Sequence, residues 1–212
     1  MKMLTLVRTA VAAAGMFLAM MASATTIDPA FEFDTPTFSA NFGDDYNFGI
    51  SFFANQDLQV DALAYYDDGP STSSHSVALF RMDGTKIAET VVNVNDTLLG
   101  NFRYSAISPI LLQAGELYRI IGNSTGDNFT WGVNNFIVNP MLTYMGYSYS
   151  AANGTMAEFD VDASTGRNME EAVWGPSLSV RAVSTEVPEP TSYLLMVMGA
   201  LMLAVTAQRK KQ

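Results

Sequence analysis

Short runs of aromatic and β-branched residues make up most of the chain between residues 25 and 184, and Gly, Asn, Asp and Ser separate them. This pattern is typical of β-strands, and no stretch of eleven or more residues has a convincing helical period. Leu58–Tyr66 alternates, which predicts one face made of Leu58, Val60, Ala62, Ala64 and Tyr66. Asp83-Gly84, between two such runs, predicts a hairpin turn.

The same pattern predicts nine or ten strands. They are 48–53, 58–66, 75–82, 86–94, 101–107, 109–112, 117–122, 129–133, 142–149 and 173–183. Many short strands at spacings of roughly 8–12 residues indicate an all-β fold, a single β-sandwich or jelly-roll domain over residues 25–184. The chain has no cysteine, so hydrophobic packing, not a disulfide framework, must stabilise this domain.

The first 24 residues have the pattern of a secretory signal peptide. Lys2 and Arg8 give a cationic start, Val11–Met21 is apolar and uncharged, and Ala22-Ser23-Ala24 supplies small residues for a signal peptidase. The sequence therefore predicts cleavage after Ala24. The alternative is an uncleaved N-terminal anchor, for which the apolar stretch is short.

The C-terminal segment, residues 185–212, has three parts in order. Val187-Pro188-Glu189-Pro190 is an extended break, because proline fixes φ and restricts the residue before it. Residues 191–208 carry no charge and reach the lower limit of roughly 17 residues for a membrane-spanning helix. Arg209, Lys210 and Lys211 then form a basic tail at residues 209–212, as expected at a cytoplasmic end.

These three parts resemble the PEP-CTERM sorting signal, which is recognised by exosortase, a membrane-embedded processing enzyme. The resemblance implies export from a Gram-negative bacterium that makes exopolysaccharide. It also implies a transient inner-membrane anchor and cleavage near Pro188-Glu189-Pro190. Release to the periplasm, cell surface or extracellular matrix would follow. The implied partners are signal peptidase, the export machinery and exosortase. The alternative is a plain C-terminal membrane anchor behind a proline-containing linker.

A second resemblance covers roughly Phe48 to Gly122. The runs that carry it are Leu63-Ala64-Tyr65-Tyr66, His75 to Phe80, Asp83-Gly84-Thr85 and Phe102-Arg103-Tyr104 continuing through Tyr118. They are similar to a β-sandwich family of secreted bacterial proteins, known mainly as a domain of unknown function. The resemblance supports the sandwich and implies no catalytic residues.

Charge narrows the range of partners. The whole chain has a formal net charge of −10, but five of its eleven cations lie in the two terminal segments. Residues 25–190 hold six cations and twenty-one acids, a net charge of −15. Such a body repels nucleic acid and anionic lipid and attracts cations such as calcium.

One acidic stretch is a candidate calcium loop, and calcium is the only cofactor that the sequence suggests. Asp160, Asp162 and Ser164 place oxygens at alternate positions, and Glu171 is twelfth from Asp160, where an EF-hand loop has its bidentate glutamate. The glycine required at the sixth position is missing, because Thr165 stands there. A looser calcium loop or a plain acidic surface loop therefore remain open.

Catalytic signals are sparse, and we predict that the protein is not an enzyme. His75 is the only histidine, no nucleophile elbow occurs, and we expect His75 to be exposed or at a sheet edge. Paired carboxylates could hydrolyse a glycosidic bond. The adjacent pairs are Asp44-Asp45, Asp67-Asp68 and Glu170-Glu171. Turns are rich in such pairs, so a secreted glycan hydrolase is the alternative hypothesis.

Aromatic residues suggest a binding role. Trp131, Tyr144 and Tyr147, with other tyrosines, could form a platform on which sugar rings stack. Alternating aromatic residues can equally pack in the core. The sequence thus predicts an exported, non-enzymatic matrix or envelope protein that binds exopolysaccharide.

Overall fold

The computed structural model describes residues 26–34, 45–67, 73–125, 127, 129–152, 154–168 and 172–183. Within these ranges the chain is all-β, with fourteen strands and no helix. The predicted signal peptide (1–24) and sorting signal (185–212) lie outside the described residues. A search restricted to the described ranges finds no helix that is long and apolar enough to span a membrane.

The strands follow one another with short connections. They are β1 Phe31–Glu32, β2 Tyr46–Ala54, β3 Leu58–Tyr66, β4 His75–Arg81, β5 Lys86–Val92, β6 Thr97–Leu99, β7 Phe102–Leu112, β8 Leu117–Asn123, β9 Thr130–Trp131, β10 Ile137–Val138, β11 Leu142–Ala151, β12 Ser164–Gly166, β13 Val173–Trp174 and β14 Pro176–Ala182. All printed pairings between them are antiparallel.

Two large sheets form the body. The first has six strands in the order β12-β11-β2-β8-β4-β5, and the second has four in the order β14-β3-β7-β6. Two small two-stranded sheets, β1-β10 and β13-β9, complete the described structure. One buried cluster contains side chains of both large sheets, including Phe52 and Leu79 from the first and Leu63 and Leu178 from the second. The expectation of an all-β, sandwich-type body is therefore confirmed.

Strand β3 corrects one detail of the predicted alternation. Its pairing with β14 skips Asp61, which forms a bulge, so the faces exchange within the strand. Tyr65, and not Tyr66, crosses to the opposite sheet, where its ring stacks on His75. The five predicted residues therefore do not share one face. Both faces of β3 are covered, because eight of its nine residues are buried.

The predicted hairpin at Asp83-Gly84 is confirmed. Gly84 has a φ of +85°, a conformation that favours glycine, and Asp83 Oδ1 accepts a hydrogen bond of 2.8 Å from the Thr85 N–H. The predicted break near Pro109 is wrong, because β7 continues through it to Leu112. Its pairing with β3 shifts register there, which accommodates a proline without a ladder hydrogen bond.

The two ends of the described chain meet beside β14. The Ala30 N–H donates to the Leu178 carbonyl, and the Val180 N–H donates to the Asp28 carbonyl, both at 2.9 Å. Because this pairing is antiparallel, residue 26 lies near the end of β14. The Val183 N–H, one residue beyond β14, still bonds to the Asp57 carbonyl.

Candidate functional site: an arginine pocket on the six-stranded sheet

A row of small residues makes a hollow on the six-stranded sheet. Ser51 on β2 pairs with Gly146 on β11 at one side and with Arg119 on β8 at the other. Gly146 has no side chain and Ser51 has a short one, so the surface between Arg119 and β12 is low. The register of three strands, distant in sequence, thus creates the hollow.

Gly146 is required at its position for two reasons. Its φ is +143°, which L-residues rarely adopt, and an added Cβ would lie 2.5 Å from the Gly166 carbonyl oxygen on β12. The adjacent register shift between Tyr144 and Gly146 is a bulge. A bulge re-aims the side chains around it, and here it leaves the middle of the row empty.

The resulting cavity has a volume of about 410 Å³. Its polar lining includes Ser51, Arg119, Thr165 and Arg167, and its apolar lining includes Met82, Leu117, Met145 and Tyr147. We call this the arginine pocket. Its size falls within the range of roughly 300–1,000 Å³ that is typical of small-molecule sites.

Arg119 is the buried charge of the arginine pocket, with only 8% of its surface exposed. Its Nε donates to Ser51 Oγ at 3.0 Å, and its guanidinium carbon lies 5.0 Å from the centre of the Phe159 ring. Burial lowers the pKa of Arg119, and the negative charge of Asp160 opposes that shift. Among the described residues, no carboxylate forms an ion pair with Arg119.

Arg167 is the exposed charge of the same pocket. It follows β12 directly, and its Cγ lies 3.7 Å from the position that a Cβ on Gly146 would occupy. Within the described ranges it forms no ion pair either. The pocket therefore presents two guanidinium groups that the described part of the protein does not neutralise.

A second cavity, of about 260 Å³, contains carboxylates instead, and we call it the carboxylate pocket. Glu32 and Asp34 line it together with Asn101, Tyr104 and Asn135. Asn135 Nδ2 donates to Asp34 Oδ2 at 2.5 Å. Burial raises the pKa of Tyr104, nearby Ser177 opposes this, and the charge of Glu32 adds to it; neither hydroxyl completes a hydrogen bond of ordinary geometry.

His75 corrects a prediction, because it is buried and not exposed. It begins β4, a strand that pairs with both β5 and β8, and it stacks on Tyr65 with ring centres 3.9 Å apart. Its Nδ1 lies 3.1 Å from the Asn123 carbonyl oxygen, so Nδ1 donates, and its Nε2 lies 3.7 Å from Asp127 Oδ2. Burial lowers the pKa of His75, and its hydrogen bond to Asn123 and the charge of Asp127 oppose this.

The predicted calcium residues are only partly described. Asp160 Oδ1 accepts a 2.8 Å hydrogen bond from the Asp162 N–H, and Ser164 is the first residue of β12. Glu171 lies outside the described residues. Over the described ranges, no group of three or more acidic or histidine side chains is arranged to hold a metal ion. The calcium loop therefore stays a prediction.

The three predicted stacking residues occupy two different clusters. Tyr144 packs with Phe136 and Trp174 at the main core, and burial raises the pKa of its hydroxyl. Tyr147 also contacts the main core and lines the arginine pocket. Trp131 belongs to a separate aromatic cluster with Phe129. Of the three, Tyr147 is the one that lines either of the two pockets.

The adjacent acid pairs are described for one member each in two cases. Asp67 is buried and forms an ion pair with Arg103, and Asp45 precedes β2. Asp44, Asp68 and the Glu170-Glu171 pair lie outside the described residues. The Asp67 carboxylate is thus committed to a structural contact.

Comparison with known families identifies the body. Residues 34–172 match the model of a family described as "Domain of unknown function (DUF4082)". The chain belongs to the DUF4082 family. The DUF4082 match contains both sheets' central strands and the arginine pocket, but it includes neither terminal segment. No curated protein matches the chain.

Sequence reasoning did not single out Arg119. One signal was available, since Arg119 interrupts the apolar run from Leu117 to Ile121. A charged residue within a strand that reads as buried calls for a partner. The DUF4082 fold explains why the partner is not evident, since Ser51 and Gly146 come from strands far away in sequence.

Proposed function

We propose that the protein is an exported, non-enzymatic matrix or envelope component that an exosortase sorts and that binds exopolysaccharide through its body. In this proposal residues 1–24 are a signal peptide, residues 25–184 a single sandwich or jelly-roll domain, and residues 185–212 the sorting signal. The protein would be anchored briefly in the inner membrane of a Gram-negative bacterium and then released to the periplasm, cell surface or matrix.

The observation that supports this proposal best is the meeting of the chain ends beside β14. The folded body begins at residue 26, two residues after the predicted cleavage at Ala24. It continues to Val183, whose N–H bonds to Asp57, and the Val187-Pro188-Glu189-Pro190 motif follows four residues later. Both terminal segments can therefore be cut away with no loss of a described strand.

The arginine pocket supports the binding part of the proposal. Sugar sites combine a few fixed polar groups with apolar surface, and Ser51, Arg119 and Arg167 lie with Leu117 and Tyr147 around one cavity. Tyr147 was also the predicted stacking residue. The pocket lies on the six-stranded sheet, whereas the tether leaves from β14 on the other sheet.

The sorting part is tested by intact mass and cell fractionation of the protein from its native host. The unaltered protein is compared with a variant in which Pro188-Glu189-Pro190 is changed to three alanines. We expect loss of C-terminal residues and release or surface attachment for the unaltered protein only. A matched control changes Pro29, which lies in the body, to alanine and should be processed normally.

Retention of the full C-terminus in the membrane for both proteins would overturn the sorting proposal. The tail would then be a simple anchor. The binding part is tested separately, with the full chain in detergent and a panel of acidic and neutral oligosaccharides. Retention without turnover supports a binding protein.

The alternative, a secreted glycan hydrolase, has one observation in its favour. Glu32 and Asp34 line the carboxylate pocket together with the buried Tyr104 hydroxyl, and hydrolysis of a glycosidic bond uses two carboxyl groups. Both acids come from one segment, two residues apart, and not from opposite walls. Release of reducing sugar that Glu32→Gln abolishes, and Glu116→Gln does not, would favour this alternative.

A further inference from the structure

We propose that the arginine pocket recognises the carboxylate of an acidic sugar, so that its ligand is a uronic-acid-containing polysaccharide. This inference rests on the proposed function and names the chemical class of its ligand. It follows from the state of the cations, the geometry of Arg119 and the composition of the pocket walls.

The cations of the body fall into two groups. Lys86, Arg103 and Arg181 form ion pairs with Glu89, Asp67 and Asp61. Arg81, Arg119 and Arg167 form none within the described ranges. Two of these three lie in the arginine pocket, in a body of net charge −15. Where acids outnumber cations so heavily, two unpaired arginines in one pocket indicate a place for an external anion.

The contacts of Arg119 leave part of its guanidinium available. Ser51 Oγ accepts from Nε, and no described residue accepts from the two Nη groups. A planar guanidinium binds a carboxylate with two parallel hydrogen bonds, and such charge-assisted bonds are the strong ones. Because Arg119 is largely buried, an anion there would be poorly screened by solvent.

The remaining lining suits a sugar and not a bare ion. Met82, Leu117 and Tyr147 offer apolar surface for the C–H face of a ring, and the Thr165 hydroxyl can bond to a sugar hydroxyl. Inorganic anions have no use for that apolar surface. The negative body repels a polyanion at long range, so binding must depend on short-range contacts at the two arginines.

The test is calorimetric titration of the full-length chain in detergent with a galacturonic acid trimer, a galactose trimer and sodium sulfate. Arg167→Gln is the main variant because Arg167 is exposed and its loss should not affect folding. Lys86→Gln is the matched control, since it removes the same charge at the far edge of the same sheet. Arg119→Lys keeps the charge and removes the guanidinium fork, and its melting temperature is measured as well.

We expect the acidic trimer to bind, and Arg167→Gln to weaken it about tenfold or more, because charged hydrogen bonds contribute at that scale. Lys86→Gln should change little, and Arg119→Lys should weaken binding while the protein stays folded. Equal binding of the neutral trimer, or no effect of Arg167→Gln, would overturn the carboxylate assignment and leave glycan binding intact. Binding of sulfate alone would overturn it too. Failure of every glycan to bind would overturn the binding part of the proposed function as well.

Discussion

Two arginines of the same small set have opposite surroundings. Arg103, on the four-stranded sheet, forms an ion pair with the buried carboxylate of Asp67 and donates from Nη1 to the Asp96 carbonyl at 3.0 Å. Arg119, on the six-stranded sheet, has a serine hydroxyl, an aromatic ring and a cavity. Both are largely shielded from solvent, but only one is neutralised by the described protein.

The difference separates structure from function. The Arg103–Asp67 pair joins β7 to the end of β3, so its removal should affect folding. The Arg119 side chain, in contrast, contributes less to cohesion than its burial suggests, because no described carboxylate depends on it. A residue whose loss affects stability little and ligand binding strongly belongs to a site.

The largest expected effect is on the paired arginine. Arg103→Gln leaves the buried Asp67 carboxylate without its cation, and we expect the free energy of unfolding to fall by about 3 kcal/mol. Denaturant unfolding of the full chain measures this. The double variant Arg103→Gln with Asp67→Asn should recover part of the loss. A loss below 1 kcal/mol for the single variant would contradict a structural role for the pair.

Gly146→Ala should be next in size. The change combines a strained φ with a Cβ placed 2.5 Å from the Gly166 carbonyl oxygen, and we expect a loss of about 2 kcal/mol. Gly154→Ala is the matched control, because Gly154 has a similar φ of +146° and no atom within 4 Å of its Cβ position. Equal melting temperatures for the two variants would show that crowding at the pocket floor does not matter.

Arg119→Gln should destabilise the fold by only about 1 kcal/mol, since it loses one hydrogen bond to Ser51 and one ring contact. Thermal unfolding beside Arg103→Gln makes the comparison direct. If Arg119→Gln proved as costly as Arg103→Gln, Arg119 would have a structural partner of comparable strength, and its assignment to a binding site would weaken.

The smallest expected effect is the pH dependence at the paired end. Burial lowers the pKa of His75 in the folded chain, so below the ordinary pKa of about 6.5 the unfolded chain binds a proton that the folded chain does not. Stability should therefore fall as pH decreases from about 7 to 5.5, by at most about 1.4 kcal/mol per pH unit. His75→Asn should flatten this profile, and an unchanged slope would assign it to another group.

Much of the fold follows from local pattern. The limits of β3 were predicted to the residue, and the Asp83-Gly84 turn follows from its own chemistry. The shortest strands, such as β6 and β10, were not predicted, because two or three residues show no period. The burial of His75 was also missed, since it depends on the Tyr65 ring and on the distant loop at Asn123.

The arginine pocket could not be predicted in the same way. Its floor needs Gly146, Ser51 and Arg119 in one row, and only the pairing of β11, β2 and β8 brings them together. The lone arginine in an apolar strand was visible, but the space beside it was not. The predicted stacking role of Tyr147 remains a prediction that the pocket makes testable.

The meeting of the chain ends at β14 has a mechanical consequence. If the protein is held by its C-terminus while its other sheet grips a polymer, tension enters at Val183 and runs along β14. The hydrogen bonds of β14 to β3 are perpendicular to that pull, so they are loaded together in shear and do not open one after another. The domain would then resist detachment by flow at the strand that joins it to its tether.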